Sequence, residues 1–110
     1  MEFSDKVKVW LTCPQTHAEE VRLAIGEAGL GVIGNYSHCS FVTGGKGYSK
    51  PLTAANPSIG EVGQITEIEE VAIEFVCQKD QLQLLKEVLK EYHPYEEVAV
   101  DIFPLLNFNL

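Results

Sequence analysis

Sliding the 110-residue sequence 64 positions against itself places Cys13 on Cys77, Val21 on Leu85, Ala24 on Val88 and Ile25 on Leu89. A chain that repeats itself in this way is restricted to folds made of two copies of one supersecondary unit. Each copy opens as a strand: Val7, Val9, Leu11 and Cys13 alternate with Lys8, Trp10 and Thr12, and Val71, Ile73, Phe75 and Cys77 repeat the period of two. Each continues as a helix, with Val21, Ala24, Ile25 and Ala28 at helical spacing in the first and Leu82, Leu85, Val88, Leu89 and Tyr92 in the second. Thr16 with Glu19, and Asp80 with Gln83, have the spacing of capping boxes. A second strand after Tyr36 and a fourth from Glu96 to Phe103 complete the order βαββαβ. The expected class is α+β: a ferredoxin-like sandwich with a four-stranded, mostly antiparallel sheet and two helices on one face. Cys13 and Cys77 are then expected to close adjacent parallel strands as small core residues. Residues 43–66, rich in Gly, Pro and Asn, read as one long loop.

This length suits a single domain over residues 1–110 with a core that needs no disulfide. Three cysteines without CxxC spacing read as reduced thiols. Residues 1–15 lack the pattern of a secretory signal, and no apolar run reaches the roughly 18 residues of a membrane span, so a cytoplasmic protein with no membrane partner is expected. A net charge of −8 argues against nucleic acid, which selects a basic surface.

Gly29, Gly31 and Gly34 fall in G-x-G-x-x-G spacing, but they follow a helix and enter a strand. A phosphate-binding turn leaves a strand and opens a helix, so these glycines read as a helix end instead. The sheet face away from the helices carries Trp10 and Phe103 among Lys8, Glu74 and Asp101, a composition that suits an oligomer interface.

Four segments in this order, "IGNYSHCSF", "GKGYSKP", "AANPSIGEVG" and "HPYEEVAVDIFPL", resemble the inserted domain of the Nif-three family (NGG-one-interacting factor three, or YqfO-type) over about Val7 to Leu105. The resemblance is to a free-standing version of that insert. It implies a PII/CutA-like module forming trimers with the sheets facing inward. The family's two-metal site and the hydrolase-like activity attributed to it lie in a second domain whose residues do not occur in this sequence, so neither is carried over. The motif residues that are shared are Tyr36, Cys39, Phe41, Gly47, Asn56, Pro57, Gly60, Gly63, His93, Pro94, Tyr95, Glu96 and Glu97.

The expected function is a small trimeric module that binds a small ligand or divalent metal between subunits, with a regulatory role and a protein partner at loop 43–66. Ligand-binding candidates are Tyr36, Cys39, Asn56 and Tyr95. Metal candidates, for zinc or manganese, are His38, Cys39, His93, Glu96 and Glu97, because an imidazole, a thiolate and a carboxylate suit a borderline divalent ion. On a strand starting at Glu96, the two glutamates would face opposite sides. The 64-residue shift puts Gly31 to Ile33 on Tyr95 to Glu97, giving the two connections related positions. No catalytic residue is assigned. Three alternatives stay open: an architectural oligomerisation domain, a small enzyme using His93, Cys39 and Glu97, and a "HPYEE" segment that simply ends the second helix.

Overall fold

A computed structural model describes residues 1–110. Strands β1 (Phe3–Pro14), β2 (Phe41–Ser49), β3 (Thr66–Gln78) and β4 (Val100–Leu106) and helices α1 (Ala18–Glu27) and α2 (Leu82–Tyr92) follow the order βαββαβ. The sheet order is β2-β3-β1-β4 and every pairing is antiparallel. Cys13 pairs with Val71 and Cys77 with Val7, so the two cysteines lie at opposite ends of antiparallel strands, not side by side on parallel ones. The reason is topological: the β2–β3 hairpin reverses the chain between the two copies, so β3 runs against β1.

The core is the alternating face read from the sequence. Val7, Val9, Leu11, Cys13, Val71, Ile73, Phe75 and Cys77 pack against Val21 and Ile25 of α1 and Leu85, Val88 and Leu89 of α2. No helix is long and apolar enough to cross a membrane.

Local boundaries differ from expectation where short-range chemistry is decided elsewhere. Each helix is entered through a 3-10 turn, Gln15–His17 and Lys79–Gln81. Thr16 bonds to the His17 ring and Glu19 to Arg22, so neither caps α1. The capping box of the second copy is formed by Gln78 and Gln81, two residues earlier than Asp80 and Gln83. Residues 43–49 are strand, paired with β3 from Thr43↔Ala72 to Ser49↔Thr66 despite Gly44, Gly45 and Gly47, which leaves 50–65 as the connection. Strand β4 begins at Val100, so Glu96 and Glu97 precede it and the alternation argument does not apply to them.

The β2–β3 hairpin projects past the helices and stretches the molecule to 48 × 27 × 24 Å. With no helix above that stretch, odd positions of β3 that are core residues from Val71 onward become Glu67 and Glu69, which ion-pair with Lys46.

Helix α1 ends as the glycine spacing indicated. Gly29 N–H donates to the Gly26 carbonyl at 3.0 Å and Leu30 N–H to that of Ile25 at 3.2 Å, with Gly29 at φ +90° and Leu30 buried, which is a Schellman closure. Gly31, at φ +77°, approaches the backbone of Cys39 so closely that a Cβ would sit 2.6 Å from its carbonyl oxygen, whereas a Cβ at Gly29 would meet open space. Gly29→Ala should therefore cost about 1 kcal/mol, from the left-handed backbone alone, and Gly31→Ala roughly 2–3 kcal/mol. Urea denaturation of the pair reads the difference, and equal losses would contradict the close approach.

Candidate functional site

The repeat that relates the two helix-to-strand connections is a pseudo-two-fold, and its consequence is separation. Because β1 and β3 are antiparallel, α1 and α2 finish at opposite ends of the sheet. The candidates divide accordingly into two groups.

Tyr36, His38 and Cys39 lie beyond the end of α1. Ile33 and Tyr36 exchange two backbone bonds of 2.9 Å around a turn, and Tyr36 is 75% exposed. His38 sits at φ +59°, with its ring over Gly26 and its Nε2 3.2 Å from Glu27 Oε1. The Cys39 thiol is directed at the carbonyl oxygens of Tyr36 and Ser37. These contacts secure the connection between α1 and β2.

Asn56, His93, Tyr95, Glu96 and Glu97 lie at the other end, beyond α2. His93 caps that helix with extended backbone (φ −85°, ψ 131°), as the following Pro94 demands. Its side chain is only 6% exposed and both ring nitrogens are engaged by the backbone. The Thr12 carbonyl can only accept, so Nε2–H donates to it (2.7 Å); the Tyr95 N–H can only donate, so Nδ1 accepts (3.1 Å). The neutral tautomer is thereby fixed. Burial, foremost, holds the imidazole below its ordinary pKa, opposed by the Thr12 bond and the Glu70 charge and aided by His17.

Tyr95, partly buried, donates its phenol to Glu70 Oε2 at 2.8 Å. Burial and then that carboxylate push its pKa above the usual phenol range. Glu70 faces away from the helices, across from Gly45 on β2 and Pro14 on β1. A Cβ at Gly47 would run into the Glu70 carboxylate, so glycine there makes its position possible. Nearby Cys13 is pushed up to about 11, first by burial and then by the Glu70 charge, which keeps it an inert thiol.

Between this end of the sheet and the 50–65 connection lies a cleft of about 320 Å³. The connection folds back over it, held where Gly63 N–H donates to the Pro51 carbonyl (2.8 Å) and Asn56 N–H to Glu96 Oε1 (2.7 Å). Tyr95, Glu96 and Glu97 line the cleft beside Ile59, Ile68 and Glu70. Sequence reasoning missed Glu70 and Thr12 as cleft residues. The signal for Glu70 was a carboxylate at an even position of β3 facing three glycines on the paired strand; for Thr12 there was none. No three His, Cys, Asp or Glu side chains gather around a point that could hold a metal ion. Cys39 and His93 are at opposite ends of the chain's sheet, so the metal set and the Cys39–His93 pair do not assemble within one subunit.

The chain matches no protein-family model. It is 45% identical over 98 residues to a GTP cyclohydrolase 1 type 2 homolog of Bacillus subtilis, covering 89% of this chain and 26% of that protein. It is 42% identical to the protein of the same description from Halalkalibacterium halodurans, over 91% of this chain and 27% of that one. The crystal structure of a Bacillus cereus protein related to NIF3 superposes with a TM-score of 0.79 at 42% identity, over 97% of this chain and 27% of the other. The chain is a relative of the NIF3 family. It spans about a quarter of the length of the family proteins it matches. This NIF3-related segment also shares its fold with the divalent cation tolerance protein CutA of Archaeoglobus fulgidus, at a TM-score of 0.69 and 15% identity over 94% of this chain and 87% of that one. The α+β, ferredoxin-like, PII/CutA-like class is therefore its fold.

Proposed function

We propose that this PII/CutA-like module is a binding protein that assembles as a trimer through its uncovered sheet face and holds a small ligand in the cleft under residues 50–65. The observation that carries the reading is the cleft itself, built from a strapped connection, a hydrogen-bonded Glu70–Tyr95 pair and apolar walls. Its volume is at the small end of ligand pockets. Assembly is supported by the side of the sheet that no helix covers, where Phe41 is 67% and Phe103 49% exposed on the same face as Trp10. The cleft opens on the same side, so neighbouring subunits would complete its walls. A reducing, cytoplasmic setting suits the three free cysteines. Activities in the names of the longer relatives are not part of this reading.

Calorimetric titration with zinc, manganese, nucleotides and small amines tests it. One class is expected to bind tighter than millimolar, with binding lost in Gly47→Leu, whose side chain would intrude on the Glu70 carboxylate, and kept in His38→Ala. Binding by none, or loss in His38→Ala but not in Gly47→Leu, would remove the cleft as the site.

A further inference from the structure

We propose that the ligand of this cleft is a small organic cation, with an ammonium or amidinium head against Glu70 and a flat apolar body along Ile59, Ile68 and the Tyr95 ring. This rests on the cleft being the binding site. Glu70 is partly buried on β3, opposite Pro14 at the end of β1, with one oxygen accepting from the Tyr95 hydroxyl and the other turned toward the space above Gly47. No lysine, arginine or histidine ion-pairs with Glu70, Glu96 or Glu97, and Lys50, the basic residue among the walls, pairs with none of them. A carboxylate set against isoleucine and tyrosine walls without a cation retains an uncompensated charge, which a ligand's positive group would satisfy.

The same balance disfavours the other ligand classes. An anion would meet three carboxylates and one ammonium. A neutral molecule would leave the second oxygen of Glu70 without a charged partner. A divalent ion needs several oxygens converging on one point, whereas Glu70 is held by Tyr95, Glu96 is held by the Asn56 N–H, and no such trio forms. The apolar walls favour a flat carbon body behind the charged head, and the volume limits it to roughly the size of one aromatic ring with its substituent.

Three probes of nearly equal shape separate these cases: benzamidine, benzamide and benzoate, followed by amide chemical shifts of the full chain. Benzamidine is expected to move the signals of Ile68, Glu70 and Tyr95 and to bind at least about tenfold tighter than the other two. Glu70→Gln keeps an acceptor for the Tyr95 hydroxyl, and in it benzamidine should fall to the affinity of benzamide. Equal or tighter binding of benzamide or benzoate at the cleft, or a benzamidine preference that survives Glu70→Gln, would overturn the cation while leaving the cleft as a site. If none of the three moves a cleft signal, the cleft reading and this inference fail together.

Discussion

His93→Ala is expected to destabilise the fold by about 2–4 kcal/mol, because it removes a buried ring and leaves the Thr12 carbonyl and the Tyr95 N–H without their partners. Urea denaturation measures the loss, and a change under about 1 kcal/mol would mean that water replaces the imidazole without cost. The same geometry makes the native protein sensitive to acid. Protonation puts a hydrogen on Nδ1, which then faces the Tyr95 N–H donor instead of accepting from it. The folded state holds His93 below its ordinary value, mainly through burial, so the unfolded chain binds the proton more readily. Stability contributed by neutral His93 is therefore complete above about pH 6.5, is lost as the pH falls from there to the lowered folded value, and does not fall further below it. The groups facing the ring are Tyr95 and Glu70, with His17 and Cys13 nearby. The difference in unfolding free energy between native protein and His93→Ala should shrink as the pH passes down through that window. A difference independent of pH would show that His93 does not titrate in it.

Trp10→Lys is expected to weaken trimer assembly by about 3 kcal/mol, more than a hundredfold in affinity, while leaving the subunit folded. The choice of lysine follows from the register. Trp10 lies directly opposite Glu74 on β3 and Asp101 on β4, so an ammonium there gains two carboxylate neighbours within the subunit. An aspartate at the same place would face both and destabilise the fold itself, confusing the result. In the assembled state the lysine must instead be taken out of water against another subunit's sheet. Sedimentation should show smaller particles at unchanged secondary structure; a native-like trimer would place the interface elsewhere.

The sheet, the helices and their order were legible because core-facing positions of β1 and β3 alternate strictly and the two helices repeat one stripe at a shift of 64. Val9, Leu11 and Ile73 are fully buried, as that alternation required. Turns were less legible. Thr16 and Asp80 had the right residue types for caps, yet competing bonds to His17 and the Gln78–Gln81 pair decided both helix starts. Residues 43–49 looked like loop because three glycines lower strand propensity, while pairing along β3 overrides that preference. At the site, Tyr95, Glu96 and Glu97 line the cleft; the sequence offered the two glutamates as ligand-type side chains and Tyr95 through the family resemblance. The split between the His38–Cys39 end and the His93 end depends on the sense of β3 relative to β1, a long-range relation that the expectation of parallel strands had wrong. Glu70 was hidden for a similar reason: its role comes from Gly47 across the hairpin and Tyr95 twenty-five residues on, not from its own neighbours.

Sedimentation equilibrium of the unsubstituted 110-residue chain tests the proposed assembly, in which neighbouring subunits would cover the open sheet face and complete the cleft. A trimer gives a single species of three times the 12.2 kDa chain mass at micromolar concentration. A 12.2 kDa monomer throughout that range would contradict it.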